Sequence, residues 1–314
     1  MVKISTQGKM VSELLKQRQD EICQHLNAVD GSSFVEDIWS RSGGGGGITR
    51  IIESEVYEKA GVNTSIVHGL MKDSEVDMFN QLIKRVSPIE ELTTSSAFFA
   101  TGVSLVIHPR NPHVPTVHAN YRYFEVNLNN NESLWWFGGG ADLTPYYLID
   151  DDAKHFHSIH QKVCESYKKG SYVEFKSHCD RYFFLPHRQE TRGIGGIFFD
   201  YLNDDFNLLF NFIGHASSAF IDAYLPIVNK RKGMTYSTDE RHWQCIRRGR
   251  YAEFNLLYDR GTLFGLKTNG RIESILMSMP PEARWGYNIQ PRPKSKEAHL
   301  QNILKSPRDW IKDV

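Results

Sequence analysis

The 314-residue sequence predicts an α+β fold in a single domain, residues 1–314, built on an antiparallel sheet. Two observations lead there. Strand-like segments come in runs, with helices before, between and after them, unlike the regular strand–helix alternation of a parallel sheet. The links between them are short and rich in Gly, Asn and Asp, as hairpins require. No internal repeat, low-complexity linker or shift of composition divides the chain.

The elements follow in order. Residues 11–26 read as an amphipathic helix with Leu14, Leu15, Ile22 and Leu26 on one side. Residues 34–39 and 48–57 read as strands joined by the glycine run Gly43–Gly47, a flexible hairpin loop first and a lid over a bound molecule second. A helix is expected over 74–86, ended by Pro88. Strands then dominate: 97–108 is an apolar run, 116–128 alternates, and 134–143 is aromatic and glycine-rich. Asn129-Asn130-Asn131 marks a turn between the last two, so they form an antiparallel hairpin. Helices are expected over 150–169 and 172–184, a loop over 186–196, a short strand over 197–200, and helices over 205–228 and 239–247. Residues 251–258, 262–267 and 272–279 read as three consecutive strands, and a short helix precedes Trp310.

Composition narrows the function classes. Lys plus Arg and Asp plus Glu both number 37, so the formal charge is zero and nucleic acid is not the expected partner. An anionic small molecule needs only a local arginine cluster. The four cysteines, Cys23, Cys164, Cys179 and Cys245, form no CxxC pair and no close triplet, so no zinc ribbon or iron–sulfur site is expected. No segment approaches the roughly 20 apolar residues of a membrane span. Residues 1–9 carry no apolar or arginine-rich leader pattern, which gives the expectation of a cytoplasmic protein.

Four segments carry chemistry. In the first, His118, Asn120 and Arg122 are two apart and share one face of a strand. Such a row can donate, accept and grip a carboxylate, or it can be the solvated side of a half-buried strand. In the second, Trp135, Trp136 and Phe137 precede three glycines and Asp142, which suits a flat ligand lying close to the backbone. Asp142 can accept from several N–H groups or cap a turn. The third segment sets His187, Arg188 and Arg192 in a glycine-rich loop, a reasonable anion site. The fourth runs from Arg247-Arg248-Gly249-Arg250 to Asn269-Gly270-Arg271. No dinucleotide fingerprint is present.

Together these blocks closely resemble the oxygen-dependent coproporphyrinogen III oxidase family, over nearly the whole chain from Ala60-Gly61-Val62-Asn63 to Pro307-Arg308-Asp309-Trp310. The resemblance implies a large flat antiparallel β-sheet covered by α-helices on both faces, and a homodimer whose contacts involve the segment from Arg247 to Glu273. It implies oxidative decarboxylation of two propionates of coproporphyrinogen III to vinyls in haem synthesis, with O2 as co-substrate and no organic cofactor. His118 corresponds to the family's proton donor. Asp142 and Arg192 correspond to positions tied to pyrrole and propionate binding, and with Arg122 and His118 make the expected catalytic set. Ser104, Asn120, Tyr121, Arg122, Asn269, Gly270 and Arg271 correspond to substrate contacts. On this basis Arg122, Arg192 and Arg271 are expected to hold the propionate rim and Asp142 the ring centre.

Some bacterial relatives have been assigned a histidine metal site, whose positions correspond here to His108, His118, His157 and His187. Nothing in the local spacing demands a metal, and His157 with His160 reads as a solvent-facing helix pair. Two rival readings remain: a metal-dependent oxygenase using some of the 13 histidines, and a tetrapyrrole carrier without catalysis. A titratable His118 row beside Asp142 favours catalysis. Ala119 and Gly286 depart from the family's usual bulkier or charged residues. Ala119 faces away from His118 and bears on core packing.

Overall fold

The computed structural model describes residues 4–86, 92–128, 133–267 and 270–312. Seven strands form one antiparallel sheet in the order β1-β2-β3-β4-β5-β6-β9. They are β1 (Val35–Ser40), β2 (Gly45–Ile52), β3 (Tyr57–Leu70), β4 (Ala97–Pro109), β5 (Thr116–Asn127), β6 (Ser133–Thr144) and β9 (Gly195–Leu202). A small hairpin, β7 (Phe184–Leu185) with β8 (Glu190–Thr191), stands apart. The helices among the described residues are α1 (Thr6–Asn27), α2 (Asp73–Ile83), α3 (Asp150–Tyr167), α4 (Ser171–Tyr182), α5 (Phe206–Arg231), α6 (Thr238–Leu257), α7 (Arg260–Lys267), α8 (Ile272–Leu276) and α9 (Lys296–Lys305). The α+β class and the antiparallel sheet agree with the expectation. No helix among the described residues is long and apolar enough to cross a membrane.

The pleat sorts the sheet into two unlike faces. On one, Val62, Val103, Leu105, Ala119, Tyr121, Tyr123, Phe137 and Ala141 join Leu15, Phe156, Phe212, Ile213 and Phe220 of α1, α3 and α5 in the main core. Helix starts fit their caps: Ser5 accepts from Gly8 N, Asp205 from Leu208 N, and Ser237 with Glu240 makes a capping box on α6. The other face is covered only in part. The α6 residues Gln244 and Arg248 bond Pro109 O at one end, and Phe79 of α2 stacks on Phe98 and Phe124 at the other. Over β2 and β3, Ser274 of α8 meets Thr49 and Asn63, while Met277 packs on the bare backbone of Gly61.

Three expectations are corrected. None of residues 251–258, 262–267 and 272–279 is a strand: 251–257, 262–267 and 272–276 are helical, and 277–279 turn away from α8. Tyr251, Phe254 and Tyr258 recur at helical spacing, and Tyr251, Ala252, Phe254 and Asn255 line the buried side of α6. Asp259, between the first two of these segments, accepts from Thr262 N at the start of α7. The glycine run is a hairpin loop only at its start: Gly43 and Gly44 turn between β1 and β2, closed by Arg41 N to Gly45 O, whereas Gly45–Gly47 pair with Val67–Ser65 inside the sheet and the Trp39 ring occupies the space a side chain at Gly47 would need. The strand expected over 48–57 stops at Ile52, and a turn closed by Ser54 N to Tyr57 O leads into β3, which sequence patterning missed. The Asn129–Asn131 turn and Pro88 lie outside the described residues, although β5 and β6 do pair antiparallel.

Candidate active site

The partly open face carries the polar row of β5. His118, Asn120 and Arg122 face the same way, and the register sets each against a residue of β6: Asp142, Gly140 and Gly138. Glycine opposite Asn120 and Arg122 leaves backbone bare beside them, while Asp142 lies directly across from His118. On β4 the neighbours of Asn120 and Arg122 are Ser104 and Gly102, and the Ser104 row continues through Asn63, Thr49 and Asp37 to the sheet edge. The surface is therefore flat and small-featured, with charged groups at its ends.

At one end, His118 Nδ1 lies 2.8 Å from Asp142 Oδ1. Arg192 Nη2 donates to both Asp142 oxygens, at 2.8 and 3.0 Å. Arg192 enters from the loop after β8, and its guanidinium is enclosed by the rings of Phe183, Tyr251 and Phe254. Burial alone disfavours the Asp142 carboxylate, but the Arg192 charge and the His118 bond outweigh it and hold its pKa below the usual range. With an ionised acceptor at Nδ1, the His118 ring is fixed with Nε2 as the nitrogen available to a bound molecule. The His118 ring also meets the edge of Phe183.

Along the row, Arg122 Nη2 pairs with Asp200 Oδ2 at 2.8 Å, and Arg260 Nη2 reaches the same oxygen at 3.5 Å. Two guanidinium groups share one carboxylate, so a surplus positive charge faces the groove. The pair lies across Gly138, where a Cβ would stand 2.5 Å from Asp200 Oδ1 and 2.8 Å from Arg122 Nη2. Arg260 rests over Tyr182 and Phe198. Sequence reading missed Arg260, which lies between two segments read as strands, and Asp200, which looked like the end of a strand. At the far edge Arg271, at the start of α8, pairs with Asp37 of β1.

Of the expected site residues, the structure brings together His118, Asp142 and Arg192, and sets Arg122, Asn120 and Ser104 along the same face. Gly270 and Arg271 stand at its β1 side, and Asn269 lies outside the described residues. Tyr121 is a correction: the pleat turns it into the opposite core, where its hydroxyl donates to Ala216 O at 2.8 Å. Arg192 is a second. Its side chain is 1% exposed and its fork is taken by Asp142 and Asn255, so it supports the site from behind instead of gripping a propionate at the rim. Asp142 is likewise buried, 1% exposed, with its oxygens engaged by His118 and Arg192.

The four metal candidates do not converge. His108 bonds Thr116 and Ser278 O, His157 bonds Tyr172 and Ile194 O, and His187 bonds Tyr258 and Glu253, while His118 is held by Asp142. Burial pushes the pKa of His108 and His157 well below that of free histidine. Among the described residues no group of three or more His, Cys, Asp or Glu is arranged to hold a metal ion. His157 and His160 are also fully buried, not solvent-facing, because α3 turns them toward the core, and burial pushes His160 down to about 4.

Comparison with known proteins bears on this geometry. The family model described as coproporphyrinogen III oxidase matches residues 10–310. An oxygen-dependent coproporphyrinogen-III oxidase of Drosophila melanogaster is 50% identical over 303 residues, covering 95% of this chain and 77% of that protein. A chloroplastic oxygen-dependent coproporphyrinogen-III oxidase of Glycine max is 48% identical over 306 residues, covering 95% and 78%. Coproporphyrinogen-III oxidase 1, chloroplastic, of Arabidopsis thaliana is 46% identical over 305 residues, again covering 95% and 78%. With a matched family model along almost its whole length and relatives this similar, the chain belongs to the coproporphyrinogen III oxidase family.

Proposed function

We propose that this chain catalyses the oxygen-dependent oxidative decarboxylation of two propionates of coproporphyrinogen III, giving the two vinyl groups of protoporphyrinogen IX in haem synthesis. The observation that carries the reading is the flat row of Ser104, Gly102, Asn120, Gly138 and Gly140, closed at one end by His118 on Asp142 and along its side by Arg122 with Arg260. The substrate is a broad tetra-anion with inward N–H groups. Bare backbone admits its ring system, Arg122 and Arg260 take a carboxylate, and Arg271 takes another toward β1.

In each round one propionate and one dioxygen become a vinyl, carbon dioxide and hydrogen peroxide. His118 handles the proton at a pyrrole N–H or at the bound peroxide, through Nε2. Loss of that N–H proton makes the ring electron-rich enough to reduce dioxygen directly. The resulting peroxide takes hydrogen from the propionate β-carbon, and the carboxylate leaves as carbon dioxide while the vinyl double bond forms. Asp142 works through His118, holding its ring and its tautomer, as the carboxylate of a catalytic triad does. No step calls for a metal or an organic cofactor. The test is stoichiometry on purified protein: two dioxygen consumed and two carbon dioxide released per protoporphyrinogen, against binding without oxygen uptake for a carrier.

The homodimer is part of the same proposal. Leu256, Leu257, Leu266 and Ile272 are exposed on α6, α7 and α8, within or beside the segment the resemblance ties to subunit contact. Sedimentation at micromolar concentration decides it: twice the chain mass is expected, and a monomer overturns it. Cytoplasmic location is also proposed, and two of the relatives above carry the word chloroplastic in their names. Cell fractionation separates the two.

A further inference from the structure

We propose that Asn255 is a positioning residue for the reaction, acting from α6 through Arg192 and Asp142 on the ring of His118. The inference rests on the catalytic reading of His118 and Asp142 given above. The Arg192 guanidinium sits in an aromatic box, with ring centroids of Phe183, Tyr251 and Phe254 at 4.1, 4.4 and 5.0 Å. Ring faces attract a cation but do not fix the direction of its N–H bonds. Direction comes from acceptors. Nη2 is taken by Asp142, Nη1 donates to Asn255 Oδ1 at 2.7 Å, and Nε has no partner. Asp142 and Asn255 are thus the two polar anchors of the fork, and Asn255 is the one that makes no bond to His118.

Arginine has donors only, so Asn255 must present its oxygen to Arg192. Its Nδ2 then turns to Ser278 Oγ, at 3.5 Å. Asn255 is 5% exposed. It lies behind Arg192 and contributes nothing to the row on β4, β5 and β6. The helix that carries it is well fixed: Gln244 and Arg248 bond Pro109 O, Arg248 pairs with Glu58, and Arg247 pairs with Glu190. Glu190 stands two residues before Arg192, so α6 holds the Arg192 segment at two points. Small displacements of a supporting group are enough to loosen a site built this way. A rotated Arg192 lets Asp142 turn, and Asp142 sets the His118 ring nitrogen that faces substrate.

The chemistry distinguishes this role from packing. A carboxylate at position 255 keeps an acceptor for Nη1 and makes a stronger, charge-assisted bond. It also competes with Asp142 for the same cation. The test compares Asn255→Leu, Asn255→Asp and Asp142→Asn in the full chain, by thermal unfolding and by kcat and KM for coproporphyrinogen III. For Asn255→Leu we expect kcat to fall about tenfold with KM within about twofold, since one buried bond to a charge is lost outside the groove. For Asn255→Asp we expect a similar fall in kcat with the melting temperature kept or raised. That separation is what a merely structural asparagine does not give, and it decides the matter even where Asn255→Leu fails to fold. Wild-type kcat in Asn255→Asp overturns the proposal. Wild-type kcat in Asp142→Asn overturns both it and the catalytic reading, whereas a loss there with both Asn255 variants active overturns the positioning role alone.

Discussion

Replacing Asp142 with asparagine keeps the shape of the side chain and removes its charge. Arg192, 1% exposed on its side chain, is left as a buried cation among three aromatic rings. Breaking one partner of a buried ion pair costs about 3–5 kcal/mol. The ring faces and Asn255 Oδ1 continue to hold the guanidinium, so the lower end, about 3 kcal/mol, is expected. In a chain of 314 residues that corresponds to a fall in Tm of roughly 4–5 °C. Activity suffers more. The two Asp142 oxygens accept from both Arg192 and His118, and an amide has one oxygen and an NH2 in their place. Either the Arg192 bond or the correct His118 tautomer is lost, which predicts a fall in kcat on the order of 10³. Because the folded Asp142 pKa is depressed, its contribution to stability is complete above the ordinary carboxylate range and disappears as pH falls through the folded value. The Tm difference between the two proteins should therefore narrow in acid. Oxygen uptake with product chromatography gives kcat, and calorimetry gives Tm. A variant with kcat within threefold of wild type, or an unchanged Tm, would refute the reasoning.

Tyr121→Phe tests the assignment of that residue to the core: the buried Ala216 carbonyl loses its donor, costing about 1–2 kcal/mol by denaturant melting, while kcat and KM stay at wild-type values. A large KM change there returns Tyr121 to the substrate surface. Gly138→Ala sets a methyl against Asp200 and Arg122, so KM for coproporphyrinogen III should rise about tenfold with the fold intact by circular dichroism. An unchanged KM removes the Arg122–Asp200 pair from substrate binding. Glu253 is the acceptor for His187, Arg188 and Trp285. Burial opposes its charge, but the bonds from Arg188, His187 and Trp285 prevail and lower its pKa from 4.5 to about 2. The sign follows from the depression: Glu253→Gln is less stable than wild type at neutral pH, and the gap closes as pH falls from about 4.5 to about 2. A gap that persists at pH 2 contradicts the pairing.

The strands nearest the site were legible in the sequence because period-two patterning is local. His118, Asn120 and Arg122 alternate with Ala119, Tyr121 and Tyr123, and that alternation alone sets polar groups on one face and core groups on the other. The same rule assigns Tyr121 to the core, whereas the resemblance implied a substrate contact because it covered the whole segment from Asn120 to Arg122. Residues 251–258 were misread because Tyr and Phe carry strand preference, and the helical spacing of Tyr251, Phe254 and Tyr258 shows only when the segment is joined to the helix before it. Arg192 gave no local sign that it is enclosed. Its box is built by Phe183, Tyr251 and Phe254, which come from two distant parts of the chain, and the sharing of Asp200 by Arg122 and Arg260 is equally a product of tertiary folding.

The most direct test of the central claim, cofactor-free oxidation of coproporphyrinogen III at the His118 row, is a single experiment. Chelator-treated protein, its metal content checked by mass spectrometry, receives coproporphyrinogen III without oxygen and is then exposed to air, with oxygen uptake and products recorded together. The account predicts no product before air, and protoporphyrinogen IX with matching oxygen consumption after it. No turnover until iron or copper is restored contradicts it.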